Sequence, residues 1–175
     1  MTDSKSAAGY DDETLALAAR IFQLARDGDA DVLRQLLERG LPPNMSTDKG
    51  DTLLMLAAYN QNAPAVRVLL DHCADPDKAN DKGQTPLAGV AFKGDLAIAT
   101  MLVEHGAKVE GPAGGGRSAL TVAAMFDRVE LVALLLERGA DPDARDGSGA
   151  TALDAAKAMG ATRSPDVIAR LKARS

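Results

Sequence analysis

The sequence predicts an all-α fold in which one pair of short helices is repeated along the chain. Three observations support this prediction. Residues of the same type recur every 33 positions, each recurrence contains start and stop signals for helices, and large side chains are scarce. The 175 residues include 3 Phe, 2 Tyr and no Trp. The apolar 46% is therefore mostly Ala, Leu and Val, which suits thin layers of closely packed helices.

The repeat appears as five sets of equivalent positions, each with a spacing of 33 residues. A glycine is followed by a hydroxyl residue and a leucine, and later by an aliphatic pair and a glycine or cysteine. The sets are Gly50, Gly83, Gly116 and Gly149; Thr52, Thr85, Ser118 and Thr151; Leu54, Leu87, Leu120 and Leu153; Leu36-Leu37, Leu69-Leu70, Leu102-Val103 and Leu135-Leu136; and Gly40, Cys73, Gly106 and Gly139. A fixed spacing of this length is typical of a repeat protein.

Each repeat carries its own signals for two helices. The hydroxyl residue precedes a Leu-x-x-Ala segment, where its oxygen can accept from unpaired N–H groups at the start of a helix. In one repeat Pro86 follows at the first helical position, which tolerates a missing N–H. Small residues such as Ala57-Ala58 predict a first helix that a neighbour approaches closely. Leucines at i, i+3 and i+4 predict a second helix, the recurring glycine ends it, and a polar turn follows.

With these features the chain resembles an ankyrin-repeat protein, most closely in the unit from Asp81 to Ala107. The resemblance covers about 160 residues, with full units at 48–80, 81–113 and 114–146 and incomplete ones at 13–47 and 147–175. It implies a solenoid of stacked helix-turn-helix units, about five including the caps, with short β-hairpin-like fingers. We expect a disordered polar tail at 1–10 and a single domain over 11–175.

Three residues depart from the repeat pattern. Gln61 and Asp127 replace the glycine expected between the two helices, which predicts a different turn in those two units. Cys73 replaces the glycine that ends the second helix elsewhere. A non-glycine residue with left-handed backbone costs roughly 1–2 kcal/mol, so the sequence predicts strain at Cys73.

Composition excludes several classes of function. The net charge is −5, which is unsuited to sequence-independent nucleic-acid binding. No apolar run approaches the roughly 20 residues of a membrane helix, and the first residues lack the order of a secretory signal. The single cysteine, Cys73, allows no intrachain disulfide and no multi-cysteine zinc site. We expect a monomeric cytoplasmic protein that binds neither nucleic acid nor membrane.

Three apparent motifs are better explained by the repeat. The segment Gly111–Ser118 resembles a phosphate-binding loop with Arg117 for Lys, but no strand pattern precedes it. His72 and His105 lie one period apart at predicted helix ends, where a cation is favourable. The Asp-Pro-Asp segments at 75–77 and 141–143 do not continue as a calcium loop. We therefore expect no metal, no cofactor and no catalysis.

Aromatic residues form the sharpest functional signal. On the 33-residue spacing Tyr59, Phe92 and Met125 are equivalent, and the ankyrin resemblance implies that they lie on the concave surface. Rings at this position, or directly after it as at Phe126, could simply cover seams between repeats, or they could be anchors for a partner, supported by charged fingers. We favour binding for Tyr59, Phe92 and Phe126 as a set. The candidate partner-binding residues are Phe22, Met55, Tyr59, Phe92, Lys93, Met125, Phe126, Lys49, Asp51, Lys82, Gln84 and Arg117.

The ankyrin resemblance implies a protein–protein interaction module that is not catalytic. On this interpretation a protein partner, whose identity the sequence does not reveal, binds the concave face and the finger loops. Two alternatives remain open at this point. The chain could be an inhibitor or immunity-type protein that blocks an enzyme or toxin. It could also bind a small ligand at the Gly111–Ser118 finger.

Overall fold

The fold is taken from a computed structural model, which describes residues 11–110, 117–146 and 148–173. Within these ranges the chain forms ten α-helices and no extended strand, which confirms the all-α prediction. The predicted tail at 1–10 and positions 111–116 of the predicted glycine-rich finger lie outside the described residues. The helices are α1 Asp12–Asp27, α2 Ala30–Glu38, α3 Leu53–Tyr59, α4 Ala63–Asp71, α5 Pro86–Lys93, α6 Leu96–Glu104, α7 Ala119–Met125, α8 Val129–Glu137, α9 Ala152–Ala158 and α10 Ser164–Lys172.

The helices stack as five consecutive pairs. The first helices of the pairs (α1, α3, α5, α7 and α9) form one layer, and the second helices (α2, α4, α6, α8 and α10) form the other. In the described part of the chain, all extensive helix contacts lie within a pair or between adjacent pairs. This is the packing of a solenoid. None of these helices combines the length and apolar character that crossing a bilayer requires.

The core is one continuous layer of small and branched side chains between the two rows of helices. Ala57 and Ala58 on α3 and Ala123 and Ala124 on α7 have no exposed surface, because neighbouring first helices approach closely there. The second helices contribute larger side chains. At the repeated position Leu69, Leu102 and Leu135 are fully buried, and Leu36 in the first pair is partly buried. Small residues on one helix and leucines on the other are what the repeat predicted.

The hydroxyl residues begin the first helices, as the sequence predicted. In each case the side-chain oxygen accepts a hydrogen bond from the N–H three residues later, at 3.1–3.2 Å. The four N-caps are Thr52, Thr85, Ser118 and Thr151. Pro86 occupies the first helical position of α5. These caps explain why four helices of only seven or eight residues begin at equivalent positions.

Left-handed backbone ends the second helices. The φ angles are 97° at Gly40, 91° at Gly106 and 92° at Gly139, and Cys73 adopts the same region with φ 63°. The thiol-bearing residue is exposed, so the strained conformation is not explained by a buried contact of its side chain. Cys73 is strained because the turn needs positive φ at that position whichever residue occupies it.

The prediction of a different turn at Gln61 and Asp127 is wrong. Their φ angles are 61° and 54°, in the same region as Gly28 and Gly94. The next residue in each case donates its N–H back to the first helix, at 3.0 Å in the Gln61 turn and 2.9 Å in the Asp127 turn. The stacking of the second helices requires the same reversal in every unit, so the backbone accepts a non-glycine residue there.

The fingers are tight turns rather than strands in the described residues. One isolated bridge joins Ser46 and Thr52. A polar side chain at the start of each finger holds the turn by accepting an N–H from four residues later. The acceptors are Thr47, Asn80 and Asp146, at 3.2, 3.0 and 3.1 Å. Adjacent fingers are also joined directly, because the Asp81 N–H donates to the Lys49 carbonyl at 3.1 Å.

Polar contacts of equal spacing connect successive repeats in the turns that follow the second helices. A side-chain oxygen of one repeat accepts a backbone N–H located 31 residues later. The pairs are Asn44 with Asp75 at 2.7 Å, Asp77 with Lys108 at 2.8 Å, and Glu110 with Asp141 at 2.6 Å. The Asp-Pro-Asp segments therefore belong to turns that hold neighbouring repeats in register.

Asp127 has a second role at the end of the stack. Its carboxylate accepts the N–H groups of Ser164 at 2.7 Å and Arg163 at 3.0 Å, and so caps α10 from the preceding repeat. Partial desolvation raises the pKa of Asp127, but the hydrogen bonds from Ser164, Arg163 and Thr162 outweigh it and hold the pKa well below its ordinary value. The charged carboxylate thus stabilises the docking of the last helix.

We predict that Cys73→Gly increases the free energy of unfolding by about 1 kcal/mol, because glycine relieves left-handed strain at some entropic cost. In a chain of this length that change corresponds to roughly 2–4 °C in melting temperature. The matched control is Gly106→Ala, where an added Cβ meets no atom within 4 Å and only the backbone is affected. It should melt lower. A lower melting temperature for Cys73→Gly would contradict the assignment of strain.

Substitution by glycine should have opposite effects on stability at Gln61 and at Asp127, the two other non-glycine residues with left-handed backbone. We expect Gln61→Gly to stabilise by up to about 1 kcal/mol, because only backbone strain is removed. Asp127→Gly should instead destabilise by about 1 kcal/mol, because losing a capping side chain typically costs 0.5–2 kcal/mol. Urea denaturation of the two variants measures the difference. Equal shifts of the same sign would show that the Asp127 carboxylate does not hold α10.

The stabilisation that the Asp127 carboxylate provides should decrease as the pH is lowered. A carboxyl whose pKa is lower in the folded state contributes fully above its unfolded pKa of about 4, and the contribution is lost as the pH falls below that value. Asp127→Asn should therefore be less stable than wild type at pH 7, and the gap should narrow as the pH is lowered toward 3. Urea unfolding at each pH measures the gap. A constant gap would exclude a role for the charge.

Candidate functional site

A groove of about 850 Å³ lies between the first helices of the middle repeats and the fingers. Its apolar side is formed by α3, α5 and α7 with its C-cap, and its polar side is formed mainly by the fingers. The apolar side comprises Met55, Leu56, Tyr59, Pro86, Ala88, Gly89, Phe92, Val122 and Phe126. The polar side comprises Asp51, Asn80, Lys82, Gln84, Thr85, Arg117, Asp146 and Ser148. We call these the groove floor and the groove rim.

Three aromatic rings form a continuous row on the groove floor. The Tyr59 and Phe92 rings are parallel within 4°, and their centroids are 6.2 Å apart. The Phe92 and Phe126 rings meet edge to face, with centroids 4.7 Å apart and an interplanar angle of 86°. These are favourable aromatic geometries. The row links three successive repeats and is one connected apolar surface.

The three rings are unusually exposed for large apolar residues. Tyr59 is 46% exposed, Phe92 38% and Phe126 37%. The ammonium of Lys93 lies 4.2 Å from the centroid of the Tyr59 ring, which is a cation–π contact. Packing among the rings fixes their positions but leaves more than a third of each residue open to solvent. The row therefore has surface available for a partner.

The row contains the three rings that the sequence favoured for binding, but not Met125, which the 33-residue spacing placed in line with Tyr59 and Phe92. Its third ring is Phe126, one residue beyond the position equivalent to Phe92. Helix α7 ends at Met125 and Phe126 is its C-cap, whereas α5 continues one residue past Phe92 to Lys93. Met125 is half-buried and does not line the groove. The aromatic side chain thus reaches the row from the helix end.

The structure brings together eight of the twelve candidate residues. Asp51, Met55, Tyr59, Lys82, Gln84, Phe92, Arg117 and Phe126 all line the groove. The other four do not. Phe22 on α1 packs against the core, Met125 is half-buried, Lys93 covers Tyr59, and Lys49 is exposed on its finger.

Several groove residues are not predicted by the sequence pattern. Leu56 and Val122 belong to first helices. The rotation of each helix about its own axis sets which of its residues face the core and which face the groove. Asn80 and Asp146 could have been found, because they occupy the finger position that is also held by Thr47 at the 33-residue spacing. The signal was the recurring polar residue three positions before the finger glycine. Its role in holding the finger turn appears only with its hydrogen bonds.

The two carboxylates of the groove rim are already engaged. Asp51 accepts a hydrogen bond from the Asn80 side-chain amide at 2.8 Å. Asp146 accepts the Ser148 hydroxyl at 2.6 Å, as well as the N–H groups of Ser148 and Ala150. The hydrogen bonds from Ser148 and Ala150, and then the charge of Arg117, lower the pKa of Asp146. Both acidic groups therefore help to hold the fingers.

Comparison with known families decides the identity of the fold. A family model described as "Ankyrin repeats (3 copies)" matches residues 21–113, which is more than half of the chain. This chain belongs to the ankyrin repeat family. A second model, "Ankyrin repeats (many copies)", matches residues 120–167. Ankyrin repeats are generally protein–protein interaction modules and are typically not catalytic.

A curated Pseudomonas aeruginosa protein that is named as an ankyrin repeat protein is similar to part of this chain. The two sequences are 49% identical over 63 residues. That segment is 36% of this chain and 36% of the relative. The match therefore spans about a third of the relative's length and supports the ankyrin assignment for that segment.

The two histidines have structural contacts in the ankyrin stack. His72 and His105 are the C-caps of α4 and α6. The Nδ1 of each lies 2.8 Å from the backbone carbonyl four residues earlier. His105 Nε2 also lies 3.7 Å from an Asp71 oxygen. In the described ranges, no three His, Cys, Asp or Glu side chains form a group that could hold a metal ion.

The glycine-rich finger lies mostly outside the described residues, but its last two positions are described. Arg117 lines the groove rim. The Ser118 hydroxyl is the N-cap of α7, where it accepts the Thr121 N–H at 3.2 Å. In a phosphate-binding loop that hydroxyl would serve a metal ion. Here it has a different function, shared with the other three repeats.

Proposed function

We propose that this ankyrin repeat chain binds a partner protein through its groove and acts without catalysis. The row of Tyr59, Phe92 and Phe126 is the observation that carries the proposal. Three connected rings that remain 37–46% exposed, on the floor of a groove of about 850 Å³, resemble the aromatic anchors that dominate protein interfaces. The stacked repeats hold this surface in place before a partner binds.

The available area is sufficient for anchoring but not for the whole interaction. If each ring offers roughly 80–100 Å² to a partner, its burial contributes about 2 kcal/mol at 25 cal/mol per Å². Three rings then contribute about 6–7 kcal/mol. Association itself costs roughly 4–15 kcal/mol. The groove rim must therefore add contacts, and its charged groups also orient the partner.

The proposal includes a single domain over residues 11–175, acting as a monomer in the cytoplasm. The sequence pattern supports all three. The continuous hydrophobic core from α1 to α10 supports the single domain. Size-exclusion chromatography with light scattering measures the oligomeric state, and cell fractionation measures the compartment.

The triple variant Tyr59→Ala, Phe92→Ala, Phe126→Ala tests the site. We expect it to lose the protein partners that wild type captures in the native cell, because about 6 kcal/mol of apolar burial is removed. The matched control is Leu17→Ala, Val32→Ala, Leu96→Ala, which truncates exposed apolar residues (57%, 36% and 42%) away from the groove. It should retain those partners.

Circular dichroism shows whether both triple variants remain folded. A folded ring variant that captures the same partners as wild type would falsify the groove as the binding site. An activity assay of the captured partner, with and without this chain, then separates two modes of action. Loss of activity indicates an inhibitor, and unchanged activity indicates a scaffold.

A further inference from the structure

On the groove rim, the hydrogen-bond acceptors and the hydrogen-bond donors differ in whether they have a partner within the described part of the protein. Its two carboxylates, Asp51 and Asp146, accept hydrogen bonds from within the rim. The Gln84 side-chain oxygen accepts the Asn80 amide at 3.1 Å. The acceptors therefore already have partners. Each carboxylate lines the groove and at the same time stabilises a finger.

The hydrogen-bond donors of the rim differ from the acceptors in this respect. Among the described residues, no hydrogen bond or ion pair engages the Lys82 ammonium or the Gln84 side-chain N–H groups. Arg117 lies within the field of Asp146, whose pKa it lowers. Lys82 and Arg117 are both exposed at the rim. The groove thus presents two cations and an amide donor beside an aromatic floor.

We propose that the groove selects a linear segment of a partner protein in which a carboxylate, from Asp or Glu, flanks the apolar residues that cover the aromatic row. This proposal rests on the proposed function and adds the chemistry of the segment. The carboxylate supplies the acceptor that Lys82, Gln84 and Arg117 lack, and charged hydrogen bonds of this kind are stronger than neutral ones.

Other segments fit the rim less well. A purely apolar segment would cover the donors without an acceptor, and an unpaired buried donor is costly. A basic segment would meet Lys82 and Arg117 with like charge. Asp51 and Asp146 keep their negative charge, but they already accept hydrogen bonds from the fingers, whereas Lys82 and Arg117 would be left without an acceptor. The net charge of −5 does not reverse this preference, because charges more than about 8 Å away are largely screened at physiological salt.

Selection from a displayed library of random twelve-residue peptides tests the inference. Wild type should enrich peptides that combine aromatic or aliphatic residues with Asp or Glu. The double variant Lys82→Glu, Arg117→Glu should select peptides with Lys or Arg instead. The control Arg39→Glu, Arg67→Glu makes the same change in net charge on exposed residues that do not line the groove. It should select the same peptides as wild type.

Fluorescence polarisation with one enriched peptide, resynthesised with a dye, measures how much each variant changes the binding affinity. We expect the Lys82→Glu, Arg117→Glu variant to bind it at least about tenfold more weakly, since like charges across an interface are strongly unfavourable. The control should change binding by less than about threefold. Wild-type binding should also weaken when salt is raised, because rim charges are exposed.

The outcomes separate this inference from the proposed function. If enriched peptides have no acidic excess, or if the rim reversal binds them as well as wild type, the selectivity for carboxylates is wrong. The groove remains the proposed binding site if the triple ring variant selects none of those peptides. If the ring variant selects the same peptides, both proposals are wrong. If wild type enriches nothing, the occupant is not a short linear segment and only that inference fails.

Discussion

A pair of short helices cannot bury its apolar surface alone, and the whole structure follows from this constraint. Each first helix has only seven or eight residues after α1, too few to be stable in isolation. Stability comes from stacking against the next pair. Close stacking requires small residues at the contact, which is why Ala57, Ala58, Ala123 and Ala124 are buried completely.

Stacking also determines which local strain is tolerated. The reversal between helices needs a left-handed residue in every unit, and Gln61 and Asp127 adopt it without glycine. At Asp127 the strained position has a compensating contact, because its side chain caps the last helix. At Gln61 the structure shows no comparable side-chain contact. Two residues with the same backbone thus contribute differently to stability.

The groove is another consequence of the stack. No single repeat contains it, because its floor takes rings from three repeats and its rim takes side chains from successive fingers. Equivalent positions provide a regular framework, while their side chains differ from repeat to repeat. At one finger position the residues are Asp51, Gln84 and Arg117, so the rim changes from acidic to basic along the stack. A uniform architecture therefore presents a specific surface.

The sequence by itself determined the repeat, the N-caps such as Thr52 and the small-residue contacts, because each depends on local preferences that recur with a fixed period. It also indicated the aromatic row, since residues 33 apart occupy equivalent places in successive units. Only the tertiary structure decided that Met125, which is equivalent to Phe92, stays out of the groove, because the end of α7 sets the direction of that side chain. The tertiary structure alone showed that Asp127 caps α10 and that the rim carboxylates accept hydrogen bonds from the fingers. These contacts join residues of different units, and their geometry depends on how the units pack rather than on the pattern within any one of them.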